Sequence, residues 1–514
     1  MSVARALLLL LGLVLLAAPW PARAMDGAQS SDTTEAAEPT PTPSPAAFSW
    51  SGHFRAYDFN RNNCSGDLSS PCRPKKANAA NVTQNQTAFN AALLLHAQYR
   101  LVREGWYLGA TLVEANPLGF NGACGSTANY AAGASCSQYP PNDAYYATDT
   151  SLPAFPLSTL AEAYLAYKGN GWSAIFGDQE FNSPWAGPSD ARVKAAYYQG
   201  ASVQYRSSAL WAFDVDRMTQ WESRTSSSFN KSDLIVPFAP NGSIQNPTPG
   251  FLRLATEYSP NAHVDATAEL YQFYDVASLL WLHGTWNLAA PDGAKRSIGV
   301  QFGDEGAEGS ALVGATDSEI FGAEAQASAG RNTIFSLSYN FIPEREATIA
   351  LPAGVACNNG AISNANKVGY WLPSGGTANC VSTGATSARI YFGGVASPYS
   401  DSYGSSPLFT NSMAQDMVAR RSPGASYKLA ATILAFRRQM TIALAEVWND
   451  YSNGAGANET IGTLIDVQYR FRHMEGRYRG LSLRDRWVSQ NQSTAQFGGK
   501  PQTVANRAQL EYDF

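Results

Sequence analysis

The chain has 514 residues, of which only 15% are charged and 12% aromatic, with a formal net charge of −5. Soluble domains are typically about 25% charged, and a net negative charge gives no reason to expect nucleic acid as a partner. Few charges and many aromatics, at a polar mean hydropathy of −0.23, is what alternating barrel strands average to; a secreted β-sandwich gives similar totals.

Arg5 is followed by an apolar run, Ala6 to Ala18, and Ala22-Arg23-Ala24 supplies an A-x-A cleavage signal. This predicts a secretory signal peptide over 1–24, its apolar core too short to span a bilayer. No other stretch reaches the roughly 18 uninterrupted apolar residues of a transmembrane helix. Residues 25–49, opening MDGAQSSDTTEAAEPTPTPSPAA, are a Pro/Ser/Thr-rich periplasmic linker predicted to be disordered.

From Trp50 the pattern becomes strand-like. Phe321, Ala323, Ala325 and Ala327 alternate with Glu324, Gln326 and Ser328; across AGRN, Thr333, Phe335, Leu337, Tyr339 and Phe341 alternate with Ser336, Ser338 and Asn340. Period-2 alternation places each set on one face of a strand. Eighteen such strands are predicted: 50–60, 88–101, 106–116, 158–168, 171–181, 195–206, 209–222, 250–259, 262–274, 276–288, 294–305, 318–328, 332–342, 427–436, 439–450, 461–473, 477–488 and 506–514. Turns such as 102–105, 169–170, 289–293, 329–331 and 474–476 are short, whereas 61–87, 117–157, 223–249 and 343–426 are long. An even number of strands of about 10 residues, with short turns on one side and long loops on the other, is the outer-membrane pattern. The last strand ends RAQLEYDF, with Leu510, Tyr512 and Phe514 alternating. Trp50, Trp106, Trp281, Trp286, Trp448 and Trp487 are expected near strand ends or rims. Lipid offers the backbone no hydrogen-bond partner, so a sheet in a membrane must close on itself. The expectation is an all-β, transmembrane, antiparallel up-and-down β-barrel over 50–514, in a bacterial outer membrane.

TLIDVQYRFRHMEGRYRGLSLRDRW, residues 463–487, sets Ile465, Val467, Tyr469 and Phe471 against Asp466, Gln468, Arg470 and Arg472, and Leu481, Leu483 and Trp487 against Arg484 and Arg486. On a lipid face near mid-membrane each arginine would cost about 2–4 kcal/mol, so these side chains are expected in the lumen. Arg55, on the face of His53 and Tyr57, belongs to a strand that adjoins the last one in a closed barrel. Arg192, Lys194 and Arg206 are placed on the polar face of strand six and Asp265 and Glu269 on strand nine for partial balance; with Asp190 these are the expected constriction residues. Arginine binds carboxylates in bidentate fashion, and spaced sites let an anion pass without a deep trap. The competing reading is that these charges pair with acids and only fill the wall.

The cysteines fall as three local pairs, Cys64 with Cys72, Cys124 with Cys136 and Cys357 with Cys380, each in a loop-like segment. In an exported chain this pattern predicts disulfides. There is no C-x2-C pair and no histidine beside them, so no metal or other cofactor is expected. His53, His96, His263, His283 and His473 lie on different strands without a serine motif, which argues against an enzyme.

GHFRAYDFNRN, FGDQEFNSPWAGPSDARVKAAYYQG and RYRGLSLRDRW together resemble the OprD-type porins, the outer-membrane carboxylate channels. The resemblance implies an eighteen-stranded, substrate-selective channel, a monomer or loose trimer, for small anionic solutes bearing a carboxylate. It implies basic-ladder roles for Arg55, Arg61, Arg470, Arg472, Arg484 and Arg486, and connections 182–194 and 343–426 that fold inward. The linker and the cysteine pairs are not typical of that family, and its DSRLLP is DARVKA here. Outer-membrane lipid and lipopolysaccharide are the expected surroundings. The alternative is an export barrel for an anionic polysaccharide, which calls for a more heavily basic lumen.

Overall fold

The computed structural model describes residues 48–64, 85–101, 105–118, 146–148, 156–188, 193–224, 226–231, 247–288, 294–312, 314–358, 361–362, 380–399, 407–411, 423–452, 457–471, 480–493 and 502–514. All lie in the second of two compact units, Ala46–Phe514. Its main sheet has nineteen strands, of which eighteen form a closed antiparallel barrel. The barrel strands are β1 Phe48–Cys64, β2 Asn85–Arg100, β3 Trp106–Pro117, β4 Leu157–Gly169, β5 Trp172–Gln179 and β6 Tyr197–Arg206. They continue as β7 Trp211–Glu222, β8 Phe251–Asn261, β9 Val264–Phe273, β10 Ala277–Leu288, β11 Arg296–Ala307 and β12 Asp317–Ala329. The last six are β13 Thr333–Ile342, β14 Gly424–Ala435, β15 Met440–Ser452, β16 Ala457–Arg470, β17 Leu481–Ser493 and β18 Gln502–Asp513. Every predicted strand is present.

Each strand pairs antiparallel with its neighbours in sequence, and β18 closes the ring on β1, with Arg55 opposite Glu511 and Asp58 opposite Ala508. The nineteenth strand, Tyr146–Thr148, pairs parallel with the start of β2. Alternation fixes the register because a one-residue slip would turn every apolar side chain into the lumen. Outward positions expose Leu112, Phe176, Val215, Val300, Leu337 and Leu429, an apolar band of the kind lipid requires. At the short-turn rim aromatic rings pair: Trp50 with Phe514, Trp106 with Tyr167, Trp172 with Tyr205, and Trp211 with Tyr258, at centroid separations of 4.3–6.2 Å.

Two expectations change. Connection length does not alternate strictly, since β9 and β10 are joined at the long-loop rim by residues 274–276 alone. Trp281 is no rim residue: it shares the inward parity of Leu279 and His283 and is 1% exposed. The connection between β13 and β14 carries its own three-stranded sheet, Arg345–Ala350, Ser387–Phe392 and Cys380–Gly384. Ile349, Ile362, Ile390 and Phe392 form its core, and the Cys357–Cys380 disulfide staples it. Cys72, Cys124 and Cys136, like residues 1–47, lie outside the described residues, and of Cys64 only the backbone is described.

Candidate functional site: a half-filled lumen with an arginine wall

Both connections expected to fold inward contribute described segments that pack inside the barrel, 181–187 from the first and 393–399 and 407–411 from the second. In FNSPWAGP, Ser183 and Ala186 pair across a tight turn, with Ser183 N donating to Ala186 O at 2.8 Å and Ala186 N to Ser183 Oγ at 3.2 Å. Proline at the second position, Pro184, presets the turn. Trp185 at its tip lies edge-on to Trp281 at 5.2 Å, and its backbone N–H donates to the Tyr271 hydroxyl at 3.4 Å.

The second inward segment, 393–399, begins with Gly393 and Gly394 at φ 143° and 108°, a region L-residues avoid. A Cβ on Gly393 would stand 3.1 Å from Pro343 O and from Pro423 Cβ, so the chain turns in where this connection leaves and rejoins the wall. Ala396 N donates to Glu305 Oε2 at 2.9 Å, and Ser318 Oγ donates to Gly394 O. Tyr399 locks the segment. Its carbonyl accepts from Tyr198 Oη at 2.6 Å and Gly187 N at 3.2 Å, and its hydroxyl is 2.6 Å from Thr248 Oγ1. Burial pushes the Tyr399 phenol up to about 12.

A third piece, 407–411, docks on wall amides: Gln301 Nε2 donates to Pro407 O at 2.6 Å, and Thr410 N donates to Asn340 Oδ1 at 2.9 Å. Lys428 Nζ donates to Phe409 O and Asn411 O. These segments complete a dry aromatic core inside the barrel. Phe181, Trp185, Tyr198, Trp221, Phe251, Tyr271, Phe273, Trp281 and Tyr399 are its rings, and its wall residues come from β6 to β13. The described inward residues therefore pack against the β6–β13 side of the lumen, and Val193 also packs on Tyr57 and Phe59 of β1.

On the facing wall, β16, β17, β18 and β1 point Arg470, Arg484, Arg486, Arg507 and Arg55 inward by strand parity. Arg484 grips Asp466 in bidentate fashion, Nε to Oδ1 at 2.8 Å and Nη2 to Oδ2 at 2.5 Å. Arg486, 2% exposed, keeps Nε 3.7 Å from the same Oδ2 and donates to Gln509 Oε1 at 3.4 Å. Arg55 Nε is 2.6 Å from Glu511 Oε1, and His53 Nδ1 is 2.6 Å from Asp513 Oδ1. Arg507 stands opposite Arg486 in register and over the Tyr57 and Phe59 rings at 5.9 and 5.5 Å. Among the described side chains of this wall, five guanidinium groups meet three carboxyl groups, an excess of two positive charges.

The filled side has the opposite balance. Arg253 Nη1 lies 2.8 Å from Asp216 Oδ2 and 3.6 Å from Asp214 Oδ2, and Nε lies 2.7 Å from Glu269 Oε2, which also accepts from Tyr271 Oη at 2.5 Å. Between the Pro184 turn and the Phe409 turn a cavity of about 680 Å³ opens onto Arg253, Glu257, His283 and Glu324.

Arg55, Arg470, Arg484 and Arg486 thus share one wall. Arg61 lies in β1, but its side chain is outside the described residues, as are Arg472, Asp190 and Arg192. Lys194 precedes β6 rather than lying on it. It is fully buried, 2.8 Å from Glu222 Oε1, and donates to Ser223 O at 2.9 Å. Arg206 and Asp265 stand at the short-turn rim, Arg206 3.6 Å from Glu257 and Asp265 2.7 Å from Ser259 Oγ. Glu269 is held by Arg253. Sequence reading missed Arg507 and Arg253, although the alternation Arg507-Gln509-Glu511 against Ala508-Leu510-Tyr512 carries the same signal as β17.

Fold and lumen together define the architecture of the outer-membrane porins: a closed barrel of eighteen strands, apolar outside, narrowed by its own inward-folded connections. The chain matches no protein-family model and no curated protein. Among solved structures it is similar to OccK9 (OpdG) of Pseudomonas aeruginosa, with TM-score 0.63 and 15% identity over 91% of this chain and 98% of that one. OccAB3 of Acinetobacter baumannii gives 0.63 and 12% over 90% and 99%. OccK2 (OpdF) of P. aeruginosa, in complex with glucuronate, gives 0.60 and 12% over 90% and 98%. At these identities the likeness is one of fold.

Proposed function

We propose that the chain is a substrate-selective diffusion channel for small solutes bearing a carboxylate, with a path that runs along the arginine wall. One observation carries this reading: the side of the lumen opposite the wall is a packed aromatic core, while β16 to β18 and β1 hold an excess of guanidinium groups. A carboxylate crossing there would meet exposed Arg470 and the partly exposed Arg484 and Arg55, the latter two already shared with Asp466 and Glu511, which keeps those sites shallow, while buried Arg486 and Arg507 add their charge from within the wall. The glucuronate complex of OccK2 offers a precedent for a carboxylate in this fold. A polysaccharide export path calls for a more heavily basic lumen than this one, in which Arg253 sits among Asp214, Asp216 and Glu269.

The test is conductance and anion/cation selectivity of the purified protein in planar bilayers. Arg470, which is exposed to the lumen, is changed to alanine. Small discrete channels whose preference for carboxylates falls in Arg470→Ala are expected. Channels with unchanged preference would make the arginines wall-filling.

A further inference from the structure

The apolar belt on the outside of the barrel is short. Its lower edge is the girdle of rings at the short turns, and its upper edge is charged. Above Trp50 on β1 the outward positions run Gly52, Phe54, Ala56 and then Asp58. Above Trp106 on β3 they run Leu108, Ala110, Leu112 and then Glu114. Above Trp172 on β5 they run Ala174, Phe176 and then Asp178, and above Trp211 on β7 they run Phe213, Val215 and then Arg217. On β11 the series Ile298, Val300, Phe302 ends at Asp304, and on β12 the series Ala327, Ala325, Ala323, Phe321 ends at Glu319. On β15 and β17 the first outward charges are Glu446 and Asp485. β2 stays apolar from Tyr99 up to Phe89, but Phe89 and Leu93 stand in register with Asp58 and Glu114.

Two further observations put the edge at the same height. Amides accompany the charges: Gln199 Nε2 donates to Asp178 Oδ1 and Gln220 Nε2 to Gln199 Oε1, both at 2.8 Å, so a polar row crosses β5, β6 and β7. Asn60 Nδ2 donates to Asp58 Oδ1 at 3.2 Å, and Asn506 Nδ2 to Asp485 Oδ1 at 2.7 Å. A second set of rings lies at this level. Tyr339 pairs with Tyr427 at 5.0 Å, Tyr427 stands in register with Trp448, and Trp448 and Trp487 lie two residues above Glu446 and Asp485. Trp and Tyr gather where hydrocarbon meets headgroups, so rings and charges together mark the upper interface. From the four girdle tryptophans to the first charge is six to eight residues, about 15–20 Å in height at a tilt of roughly 40°. The usual band is about 25 Å tall.

We propose that this face is matched to a hydrocarbon layer about 15–20 Å thick, against about 30 Å for an ordinary bilayer core. The lipid that fits it has chains of about ten to twelve carbons, scaled from about sixteen to eighteen for the ordinary core. The edge charges enforce the match. All of those named except Arg217 are carboxylates on short stems, which cannot reach far to water as Lys and Arg do. Arg217 itself turns upward, donating to Pro249 O at 2.8 Å and Phe251 O at 3.2 Å. In longer-chain lipid either the carboxylates enter hydrocarbon, which offers them no donors, or the bilayer thins around the barrel. Both costs grow with each ångström of mismatch.

The experiment is equilibrium urea unfolding of the folded full chain from phosphatidylcholine vesicles with chains of twelve, fourteen, sixteen and eighteen carbons. The longer chains are monounsaturated so that every bilayer is fluid, and folding is read from heat-modifiable gel mobility. The midpoint should be highest at twelve carbons and about 1 M urea lower at eighteen. Asp58→Leu, Glu114→Leu and Asp178→Leu together raise the belt on three strands and should move the best chain length up by two carbons or more. A wild-type midpoint that is flat across the series, or highest at fourteen carbons or longer, would overturn the proposal. So would a triple variant whose best chain length equals that of the wild type. If the triple variant does not fold, the wild-type series still decides.

Discussion

Arg484 and Asp466 offer the sharpest test of the lumenal wall, because the two single variants should lower stability alike but move selectivity in opposite directions. The paired groups sit about 4 Å apart between charge centres, which at an effective dielectric of about 20 is roughly 4 kcal/mol of attraction. Desolvation offsets part of this, since their side chains are 21% and 13% exposed. Among the described residues, Arg484→Ala leaves Asp466 with the Arg486 Nε at 3.7 Å, so a loss of about 2–3 kcal/mol is expected. Asp466→Ala should cost a similar amount by leaving two guanidinium groups crowded, whereas the double variant should recover most of it, with a coupling of about 2 kcal/mol. Selectivity should move differently. The wall's excess of two positive charges drops to one in Arg484→Ala, rises to three in Asp466→Ala and returns to two in the double variant. Urea unfolding from lipid vesicles measures the first quantity, and the reversal potential under a salt gradient measures the second. A double variant as unstable as the worse single, or reversal potentials that do not follow charge, would refute this account of the wall.

Other tests bear on the filled half and its fastenings. Trp185→Ala removes the tip of the Pro184 turn from its place against Trp281 and should cost about 3–5 kcal/mol of stability while raising single-channel conductance. Lys194→Ala leaves Glu222 buried without its cation and should destabilise by about 3–5 kcal/mol, whereas Lys194→Met with Glu222→Leu should be close to neutral in urea unfolding. The raised pKa of Tyr399 sets an alkaline limit. Its phenol ionises near 10 when unfolded and near 12 in place, so its contribution is complete below pH 10 and is lost as pH rises from about 10 to 12, by roughly 3 kcal/mol. Conductance followed through that window should show the inward segment loosening in the wild type, and Tyr399→Phe should lack that step.

The strands were legible because a barrel wall obeys a single rule: lipid demands apolar side chains at every second position, and Leu337 or Val300 has no other partner to satisfy. The arginine wall was legible for the same reason, since Arg484 and Arg486 cannot face lipid. Their partners were harder to see. Asp466 pairs with Arg484 and Arg486, and Glu511 with Arg55, through lateral register between strands, which depends on shear rather than on any local pattern. Lys194 and Trp281 show the further limit. Inward parity says only that a side chain points away from lipid. Whether it then meets water or the aromatic core depends on connections that fold back from elsewhere in the chain, and Tyr399 reaches Tyr198 across 201 residues.

The lopsided filling of the lumen also decides how salt acts on the channel. A barrel of this strand number has a backbone radius of about 18 Å, from a strand spacing of about 4.8 Å and a tilt of about 40°. A solute on the axis of such a tube would travel more than a Debye length, about 8 Å at physiological ionic strength, from the wall charges and would scarcely feel them. On the proposed path, with the β6–β13 side occupied by rings, a solute would pass off the axis and nearer to Arg484 and Arg55, inside the screening distance. Under that reading the aromatic rings, uncharged themselves, would be what keeps a passing anion within reach of the guanidinium groups in salt water.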